Sequence, residues 1–488
     1  MKKIYYLAVM AGMLFFASCQ DWLDEEPKKV AAETFYNTVE EANAAVMAPL
    51  YKLRSGFNLN YPSLMECFAD YQYGRASGSW GDNSRYAGLN TTNVTRTNAI
   101  WSSLYNAIRD CNIAIDRLPK ATDLNETQKA AYLGEMKFIR GFSYYYLVRL
   151  YGDMPLRTEK NMQEYDLGKS PKEDIYTFIV EDLEYAGTNA PDKARIVGAP
   201  SKYAAKSLLA QVQAELGNYI ETKRLTEEVV NSGQYSLVPI TTSREFDKIF
   251  GPDVLTTTEE IFYMKSDRSS NMGWQYVVMC AHPQALIDGE KMHRSGGWYG
   301  ICTDSDNKVI AGWDDNDLRK DFNLLHFNWG EGDNMYLAAK YRDPDATGEN
   351  NGNVSYPLIR YADVLLLYAE ASVMASGTPN ADAMEKLNMV HRRGYGFPPN
   401  SPSPVDFKLE DYNTKEKFMD LLVREQAYEN YNEGKRWPFL VRLGIAKEVI
   451  KDVKGIDVAD KHFLFPIPTT EFDYNKMLDP VKDQNPGY

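Results

Sequence analysis

The sequence predicts a mainly α-helical protein with a loop-rich insert and few short strands. Over residues 33–53, 98–118, 126–151 and 171–186, apolar residues recur at three- and four-residue spacing, as on the buried face of amphipathic helices. Between residues 236 and 356 this periodicity fades, and Gly, Asp, Asn and Trp become frequent. Helical patterns return at 357–371, 381–392 and 415–432. We therefore expect a helical scaffold interrupted by one irregular region.

Residues 1–18 are typical of an export signal. Lys2 and Lys3 precede an apolar run from Ile4 to Phe16, which is too short to span a membrane as a helix. Ala17-Ser18-Cys19 suits a signal peptidase that cuts after Ser18 once the Cys19 thiol carries a diacylglycerol. We predict lipidation at Cys19, and the alternative is an ordinary secreted protein with a chance cysteine.

Residues 19–32 form a lipidated N-terminus and an acidic tether. The run Gln20-Asp21-Trp22-Leu23-Asp24-Glu25-Glu26 resembles the surface-export signal of Bacteroidetes lipoproteins. More than one acyl chain is what stable anchoring takes. We expect a protein of the outer membrane that faces the exterior and touches the membrane only through its lipid anchor.

The charge of the chain disfavours polyanionic partners. The formal net charge is −14, and it becomes −16 when Lys2 and Lys3 leave with the signal. Because no basic run of five or more residues is present, nucleic acid and anionic headgroups are poor partners. Neutral ligands fit this overall charge better.

Four cysteines follow the tether, and none has the spacing of a CxxC motif or a zinc site. They are Cys67, Cys111, Cys280 and Cys302. An exported protein can form disulfides, and four cysteines allow three pairings between which the sequence does not choose.

The predicted N-terminal part, residues 33–235, contains a helix-turn-helix unit. A helix from Ser201 ends at Gly217-Asn218, and a second helix runs to Val230. Small residues let the two helices approach closely, as in tetratricopeptide repeats. Such units stack into concave scaffolds.

The C-terminal part, residues 236–488, divides into a loop-rich region (236–356), helices (357–445) and a Pro-rich extended tail (446–488). Strand-like runs occur at Glu260–Lys265 and Gln275–Met279. Because a compact domain rarely keeps so much irregular chain without a use for it, we expect the loop-rich region to bind the ligand.

Several separated motifs resemble the SusD/RagB family of nutrient-uptake lipoproteins, in family order and over nearly the whole mature chain. They are Arg140-Gly-Phe-Ser-Tyr-Tyr-Tyr-Leu-Val-Arg-Leu-Tyr-Gly-Asp-Met-Pro155, Leu216-Gly-Asn-Tyr219, Arg360-Tyr-Ala-Asp-Val-Leu-Leu-Leu-Tyr-Ala-Glu-Ala371, Arg424-Glu425 to Glu433-Gly-Lys-Arg-Trp437, Pro466-Ile-Pro468 and Gln484-Asn-Pro-Gly-Tyr488. The resemblance implies a tetratricopeptide-like scaffold that sits as a lid on a SusC-like TonB-dependent transporter and captures a glycan. It does not name the ligand, since some RagB-like members handle peptides.

A sugar site needs flat aromatic rings and fixed polar groups, which makes loop aromatics the first candidates. Trp80 lies among small residues in an early loop, where the resembling family often places an aromatic ligand contact. The alternative is a loop anchor that packs on the scaffold. The candidates in this loop are Asp70, Arg75, Trp80, Asp82, Asn83 and Tyr86.

A second aromatic group lies in the loop-rich region, where the resembling family supplies the opposing wall of its site. It comprises Trp274, Trp298, Tyr299, Trp313 and Trp329, of which we favour all but Trp329 as ligand contacts. Trp298 follows Gly296-Gly297, a pair that allows a loop to approach a ligand closely. Any single Trp is more often buried than exposed to ligand.

Acidic clusters in the sequence have structural interpretations. Glu425, Glu429 and Glu433 form an i, i+4, i+8 stripe, and cations available to neutralise it are Arg392, Arg393, Arg424, Lys435 and Arg436. The segment from Asp343 to Gly348 begins like a calcium loop, but position twelve is Val354, where a bidentate Glu belongs. We therefore expect no cofactor.

No catalytic motif indicates an enzyme. The histidines lack HExxH spacing, and neither GxSxG nor GxxxxGK[ST] is present. We interpret the protein as a non-enzymatic glycan-binding lipoprotein that serves a transporter. The alternatives are a peptide-binding lid, a surface glycosidase with a carboxylate pair across a cleft, and a lid whose transporter makes all the ligand contacts.

Overall fold

The computed structural model describes residues 35–75, 78–269, 272–330 and 335–488. The expected signal, Cys19 and the acidic tether lie outside the described residues. The helices before the loop-rich region are α1 (Val39–Phe57), α2 (Asn60–Phe68), α3 (Gly81–Ser84), α4 (Thr91–Arg117), α5 (Glu126–Tyr151), α6 (Lys172–Asn189), α7 (Lys202–Glu215) and α8 (Tyr219–Asn231). The predicted helical first half is confirmed.

The second half alternates short helices and strands before longer helices return. Its helices are α9 (Asp247–Phe250), α10 (Tyr276–Cys280), α11 (Lys308–Ala311), α12 (Leu318–Asn323), α13 (Tyr361–Ser376), α14 (Ala381–Gly394), α15 (Lys415–Glu429), α16 (Arg436–Arg442), α17 (Ala446–Lys454) and α18 (Thr469–Tyr474). The strands of the whole chain are β1 (Tyr73–Gly74), β2 (Glu260–Met264), β3 (Leu286–Ile287), β4 (Glu290–Lys291), β5 (Ile301–Asp304), β6 (Leu324–His326), β7 (Met335–Ala338) and β8 (Tyr356–Arg360).

Local signals explain where the long helices begin and turn. Asn125 caps α5 in a capping box with Gln128, which satisfies two backbone N–H groups at the helix start. Helices α7 and α8 pack against each other across a turn in which Gly217 has φ +75°, a conformation that favours glycine. The predicted helix-turn-helix unit is confirmed.

Two segments differ from the sequence prediction. Residues 275–279 form helix α10 for the most part, where we expected a strand. Residues 357–360 belong to β8, where we expected the start of a helix, because this stretch pairs antiparallel with β2. Local pattern does not show that partner, since β2 lies almost a hundred residues earlier in the chain.

The tail is extended only in part. It begins with α17 and contains the short α18, so the expectation of a wholly extended tail is wrong. Its remaining stretches lie along the end of α5. The Phe465 N–H donates to the Leu150 carbonyl at 2.6 Å, and the Asn485 side chain donates to the Tyr151 carbonyl at 2.9 Å. These bonds hold the tail as the expected strap over the scaffold.

A continuous apolar core joins the loop-rich region to the helical half. Phe262 of β2 lies edge-on to Phe138 and Phe142 of α5, with ring centroids 4.8 and 5.6 Å apart. Trp274 stacks on Tyr356 of β8 at 4.7 Å in the same core. The loop-rich region therefore rests on the scaffold through buried rings.

A buried ion-pair network also holds the loop-rich region against the helical scaffold. Arg360, at the end of β8, donates to Glu429 at 2.7 Å and to both oxygens of Glu433 at 2.7 and 3.0 Å. Arg393 bridges Glu429 to Glu259, the residue before β2. All five side chains are almost completely buried. Such groups are tolerated in an interior only when each charge is compensated.

The network extends into the loop-rich region. Arg319 of α12 donates to Glu425 at 3.0 Å and to Glu429 at 3.3 Å, and Lys340 after β7 donates to Glu433. Burial disfavours ionisation of Glu433, but the cations around it lower its pKa to about 2. The interpretation of the glutamate stripe as structural is confirmed.

The partners of the stripe are only in part those expected from the sequence. Arg393 and Lys435 belong to the network. Arg436 instead pairs with Asp70, and Arg392 pairs with Glu385 and Asp406. The ring of Phe407 lies beneath the Arg424 guanidinium.

The four cysteines of the described chain are buried, and none is bonded to another in a disulfide. Burial raises the pKa of the Cys67 and Cys280 thiols to about 12, and it raises that of Cys111 as well. None of the three disulfide pairings is therefore present. Among the described helices, none combines the length and apolarity that crossing a membrane requires.

Replacing Glu429 with Gln should destabilise the fold by about 3–5 kcal/mol, because the change leaves Arg360 and Arg393 without a shared buried anion. Urea unfolding of the soluble chain measures the effect. Asp420→Asn is the matched control, since Asp420 is exposed on the same helix α15. Equal stability of the two variants would contradict the structural role of the network.

Replacing Glu66 with Gln should stabilise the protein increasingly as the pH rises. Glu66 is buried, accepts one hydrogen bond from the Gly434 N–H at 2.6 Å, and has its second oxygen unpaired. Burial raises its pKa from 4.5 to about 8, so its contribution to stability is full below pH 4.5 and is lost as the pH rises through 8. Gln cannot ionise. Unfolding midpoints at pH 5, 7 and 9 should diverge, and a constant difference would contradict this assignment.

Candidate functional site

A four-stranded sheet brings the early loop to the loop-rich region. Its strand order is β1-β5-β7-β6, and β1 pairs antiparallel with β5. The Arg75 N–H continues the pairing by donating to the Gly300 carbonyl at 3.0 Å. A Cβ on Gly74 would lie 2.3 Å from the Trp80 backbone, so only glycine fits there. The structure thus unites the two segments that contain our candidate residues.

Four partly exposed rings lie side by side next to this sheet, and we call them the aromatic face: His282, Tyr299, Phe327 and Trp329. The His282 ring centroid is 4.5 Å from that of Tyr299 and 4.6 Å from that of Phe327. The Trp329 ring lies 6.2 Å from Tyr299. Tyr299, Phe327 and Trp329 pack on a small apolar cluster that is separate from the main core.

Backbone constraints position Tyr299 within the face. Its φ is +36°, which is an unfavourable conformation for a residue with a Cβ. A Cβ on Gly297 would lie 2.1 Å from the Ala281 carbonyl oxygen. Gly297 is therefore needed for close contact with the protein's own backbone, which corrects the expectation that the glycine pair serves approach to a ligand.

Arg75 lies over the aromatic face. Its guanidinium carbon is 4.1 Å from the centroid of the Tyr299 ring. Its Nε is buried and finds no hydrogen-bond acceptor among the described residues. The indole N–H of Trp329 is likewise buried without a partner in the described chain. The face therefore holds two donors for which the described residues offer no acceptor.

His282 is held neutral beside this cation. Burial lowers its pKa below 6.5, and the positive charge of Arg75 lowers it further. Its Nδ1 accepts a hydrogen bond from the Gln284 N–H at 3.1 Å. At neutral pH the ring is thus an uncharged part of the aromatic face.

Three of the expected tryptophans are buried. Trp80 is 7% exposed, and the Arg96 guanidinium carbon covers its ring at 3.4 Å, so it acts as the loop anchor that we gave as the alternative. Trp274 is in the main core. Trp313 stacks on Tyr428 at 4.5 Å. These packed rings leave no face for a ligand, and we no longer place them in the site.

Asp70, Asn83 and Tyr86 are also removed from the ligand surface by burial. Both Asp70 oxygens accept from Arg436, at 3.0 and 2.7 Å. Asn83 donates to Asn93 at 3.0 Å, and the Tyr86 hydroxyl donates to a backbone carbonyl. Each side chain is occupied in holding the loop together.

Asp82 and Trp298 keep part of their surface. Asp82 accepts from Arg85 at 2.7 Å and from Asn90 at 2.9 Å. Trp298 packs on the main core, and its indole N–H donates to Glu349 at 3.0 Å. Their roles as ligand contacts remain predictions, as do those of Arg75 and Tyr299.

The sequence did not single out His282 or Phe327. Neither belongs to a motif, and Phe327 reaches the face only because β6 pairs with β7 in one register. Trp329 was noted as a loop aromatic but was not favoured. The useful signal is that Trp329 lies shortly after β6, which ends at His326, within the loop-rich region.

The calcium-like segment is occupied by protein contacts. The Asp343 carboxylate accepts from Arg268 at 2.8 and 3.1 Å and from the Asn353 N–H at 2.7 Å. Elsewhere in the described ranges, no three His, Cys, Asp or Glu side chains cluster in a way that suits a metal. Nothing in this geometry supports a resident ion.

Two larger grooves lie in the helical half. One of about 890 Å³ runs between α5, α6 and the tail and is lined by Tyr146, Tyr176 and Phe463. The other, of about 760 Å³, lies along α4 and α18 and is lined by Tyr105 and Tyr474. They are the competing locations for a ligand.

Family models match both halves of the chain. A model described as "SusD family" matches residues 287–488, and one described as "Starch-binding associating with outer membrane" matches residues 21–213. SusD-like protein P2 of Formosa agariphila is 26% identical over 531 residues, covering 100% of both chains. A SusD-like protein of Bacteroides ovatus is 29% identical over 220 residues, covering 43% of this chain and 39% of that protein.

Solved structures share the fold at low identity. A SusD homolog from Bacteroides thetaiotaomicron superposes with a TM-score of 0.78 at 22% identity, covering 94% of this chain and 99% of that one. A structure titled "Laminarin binding SusD-like protein" gives 0.75 at 22%, covering 93% and 100%. Surface glycan-binding protein A from Bacteroides fluxus gives 0.75 at 20%, covering 92% and 100%.

Replacing Arg75 with Gln should raise the pKa of His282 toward 6.5, because one of the two causes that lower it is removed. NMR titration of ¹³C-labelled histidine measures the shift. Arg85→Gln is the control, since Arg85 lies in the same loop but does not contribute to the His282 pKa. An unchanged His282 pKa in Arg75→Gln would show that Arg75 does not lie over the face.

Proposed function

Because this chain belongs to the SusD-like family, we propose that it binds an oligosaccharide or polysaccharide at the aromatic face and delivers it to a SusC-like TonB-dependent transporter. The observation that carries the proposal is the grouping of four partly exposed rings beside a guanidinium that has no hydrogen-bond acceptor among the described residues. Two structures of the same fold have titles that name laminarin or glycan binding.

The geometry of the face suits a sugar chain. Pyranose rings have apolar faces that pack on aromatic rings, while their hydroxyl and ring oxygens accept hydrogen bonds. Tyr299, Phe327 and Trp329 provide the rings, and the partly exposed Arg75 provides the donors. A run of adjacent rings contacts several sugar residues at once, which favours oligomers over single sugars.

Attachment to the cell surface forms part of the proposal. A lipid on Cys19 would leave the folded body outside the membrane, connected through the 19–32 tether. The description of the model that matches residues 21–213 includes association with the outer membrane. The glycan and the transporter would be the partners, and neither nucleic acid nor a cofactor has a role.

Binding without chemistry fits the state of the acidic residues. A glycosidase needs two carboxyl groups on either side of a cleft. Glu425, Glu429 and Glu433 are buried in ion pairs and face no cleft. We therefore propose that the protein releases its glycan unchanged.

Replacing Tyr299 with Ala should weaken glycan binding about tenfold, because one ring contact and the support beneath Arg75 are lost together. Affinity electrophoresis of residues 20–488 through gels that contain plant, microbial or host glycans identifies the ligand, and calorimetry measures the loss. Tyr165→Ala is the matched control, since Tyr165 is 80% exposed and lies outside the face.

The outcomes separate the alternatives. Retardation by one glycan that only Tyr299→Ala abolishes supports the proposal. Retardation that neither variant alters would move the site to a groove of the helical half. If no glycan retards the protein, a peptide-binding lid or a lid without ligand contacts replaces the proposal, and release of reducing ends would indicate a glycosidase.

A further inference from the structure

Arg75 differs from the other arginines that are partly or fully buried. Arg436 and Arg442 pair with carboxylates. Arg54, which lacks a carboxylate, donates to backbone carbonyls, and Arg96 donates to a side-chain hydroxyl and an amide. The Arg75 guanidinium has neither a carboxylate nor another acceptor among the described residues, and its Nε is buried.

The acids of the neighbouring loops are already engaged. Asp82 accepts from Arg85 and Asn90, Glu349 accepts from Trp298, and Asp343 accepts from Arg268. These three carboxylates are therefore not available to Arg75, whose guanidinium has no acceptor in the described part of the chain. A partly buried cation without a carboxylate partner carries a desolvation cost that an anionic ligand group offsets.

We propose that the aromatic face selects a glycan that bears an anionic group, either a uronate carboxylate or a sulfate ester, and that Arg75 binds this group. The inference rests on the proposed function and deepens it by naming the class of glycan. A guanidinium presents paired N–H donors that match the oxygens of a carboxylate or sulfate.

The arrangement of the rings indicates how such a sugar lies. The ring contacts run in the order Trp329, Tyr299, His282 and Phe327. Arg75 covers one side of the Tyr299 ring, so a sugar stacks on the adjoining Trp329 ring. Its anionic substituent then extends toward the guanidinium above Tyr299. The uncharged His282 ring, in contact with Tyr299 and Phe327, adds no competing charge.

The overall charge of −14 does not oppose this assignment. At physiological ionic strength, charges more than about 8 Å apart are largely screened, so the local cation decides the preference at the face. The expectation of a neutral ligand came from the whole-chain charge alone. The proposed ion pair between Arg75 and an anionic glycan weakens as salt is added.

The test compares matched glycans on the soluble chain, residues 20–488. One arm uses polygalacturonate and its fully methyl-esterified form, and the other uses a sulfated galactan and its desulfated form. We expect one anionic polymer to bind at least tenfold more tightly than its neutral partner, with an affinity that falls as salt rises. The arm that responds identifies carboxylate or sulfate as the anionic group.

Variants assign the preference to Arg75. Arg75→Gln should remove the tenfold difference, and Arg75→Lys should retain part of it. Arg224→Gln is the control, because it removes an equal charge from an exposed ion pair on α8. Equal thermal unfolding midpoints establish that the variants are folded.

Three kinds of result would overturn the inference in distinguishable ways. If neutral and charged partners bind equally, or if Arg75→Gln keeps the preference, then Arg75 does not select an anion while glycan binding itself stands. If none of the four polymers binds and a neutral glycan does, the ligand class is wrong. If no glycan of any kind binds, the proposed function fails as well.

Discussion

The buried network around Glu429 is the interaction on which the rest of the structure depends. Its cations come from the loop-rich region, from the end of β8, from α14 and from Lys435. Its anions come largely from α15 and the turn that follows. Buried charges of this number are stable only if each has its partner in place. The network therefore holds β8, α12 and the end of β7 in one arrangement relative to the helices, which apolar packing alone would define less sharply.

The aromatic face depends on that arrangement. Helix α12 leads directly into β6, and Lys340 follows β7, so two strands of the site's sheet are attached to network residues. The sheet in turn pairs β5 with β1 and places Arg75 above Tyr299. A set of loops far apart in sequence thus becomes a surface whose rings and cation have fixed spacing, which is what the proposed binding of a flexible sugar chain requires.

Helices and their turns could be predicted from the sequence because their signals are local, as the α5 capping box and the Gly217 turn show. The face could be predicted only in part. Tyr299 and Arg75 were identified from the sequence as loop candidates. Trp80, Trp274 and Trp313 instead pack against residues from other parts of the chain, which are Arg96, Tyr356 and Tyr428 respectively. Whether a loop aromatic is buried or exposed depends on such contacts between distant parts of the chain. The β2–β8 pairing and the ring neighbours of His282 depend on contacts of the same kind.

The central claim is that a glycan binds at the aromatic face and nowhere else on the scaffold. Hydrogen–deuterium exchange with and without a bound oligosaccharide tests it most directly, since it reports on every segment at once. The account predicts protection confined to β1, to residues 281–304 and to the β6 and β7 strands, with the grooves along α4 and α5 unchanged. Protection along those grooves, with residues 281–304 unaffected, would contradict it.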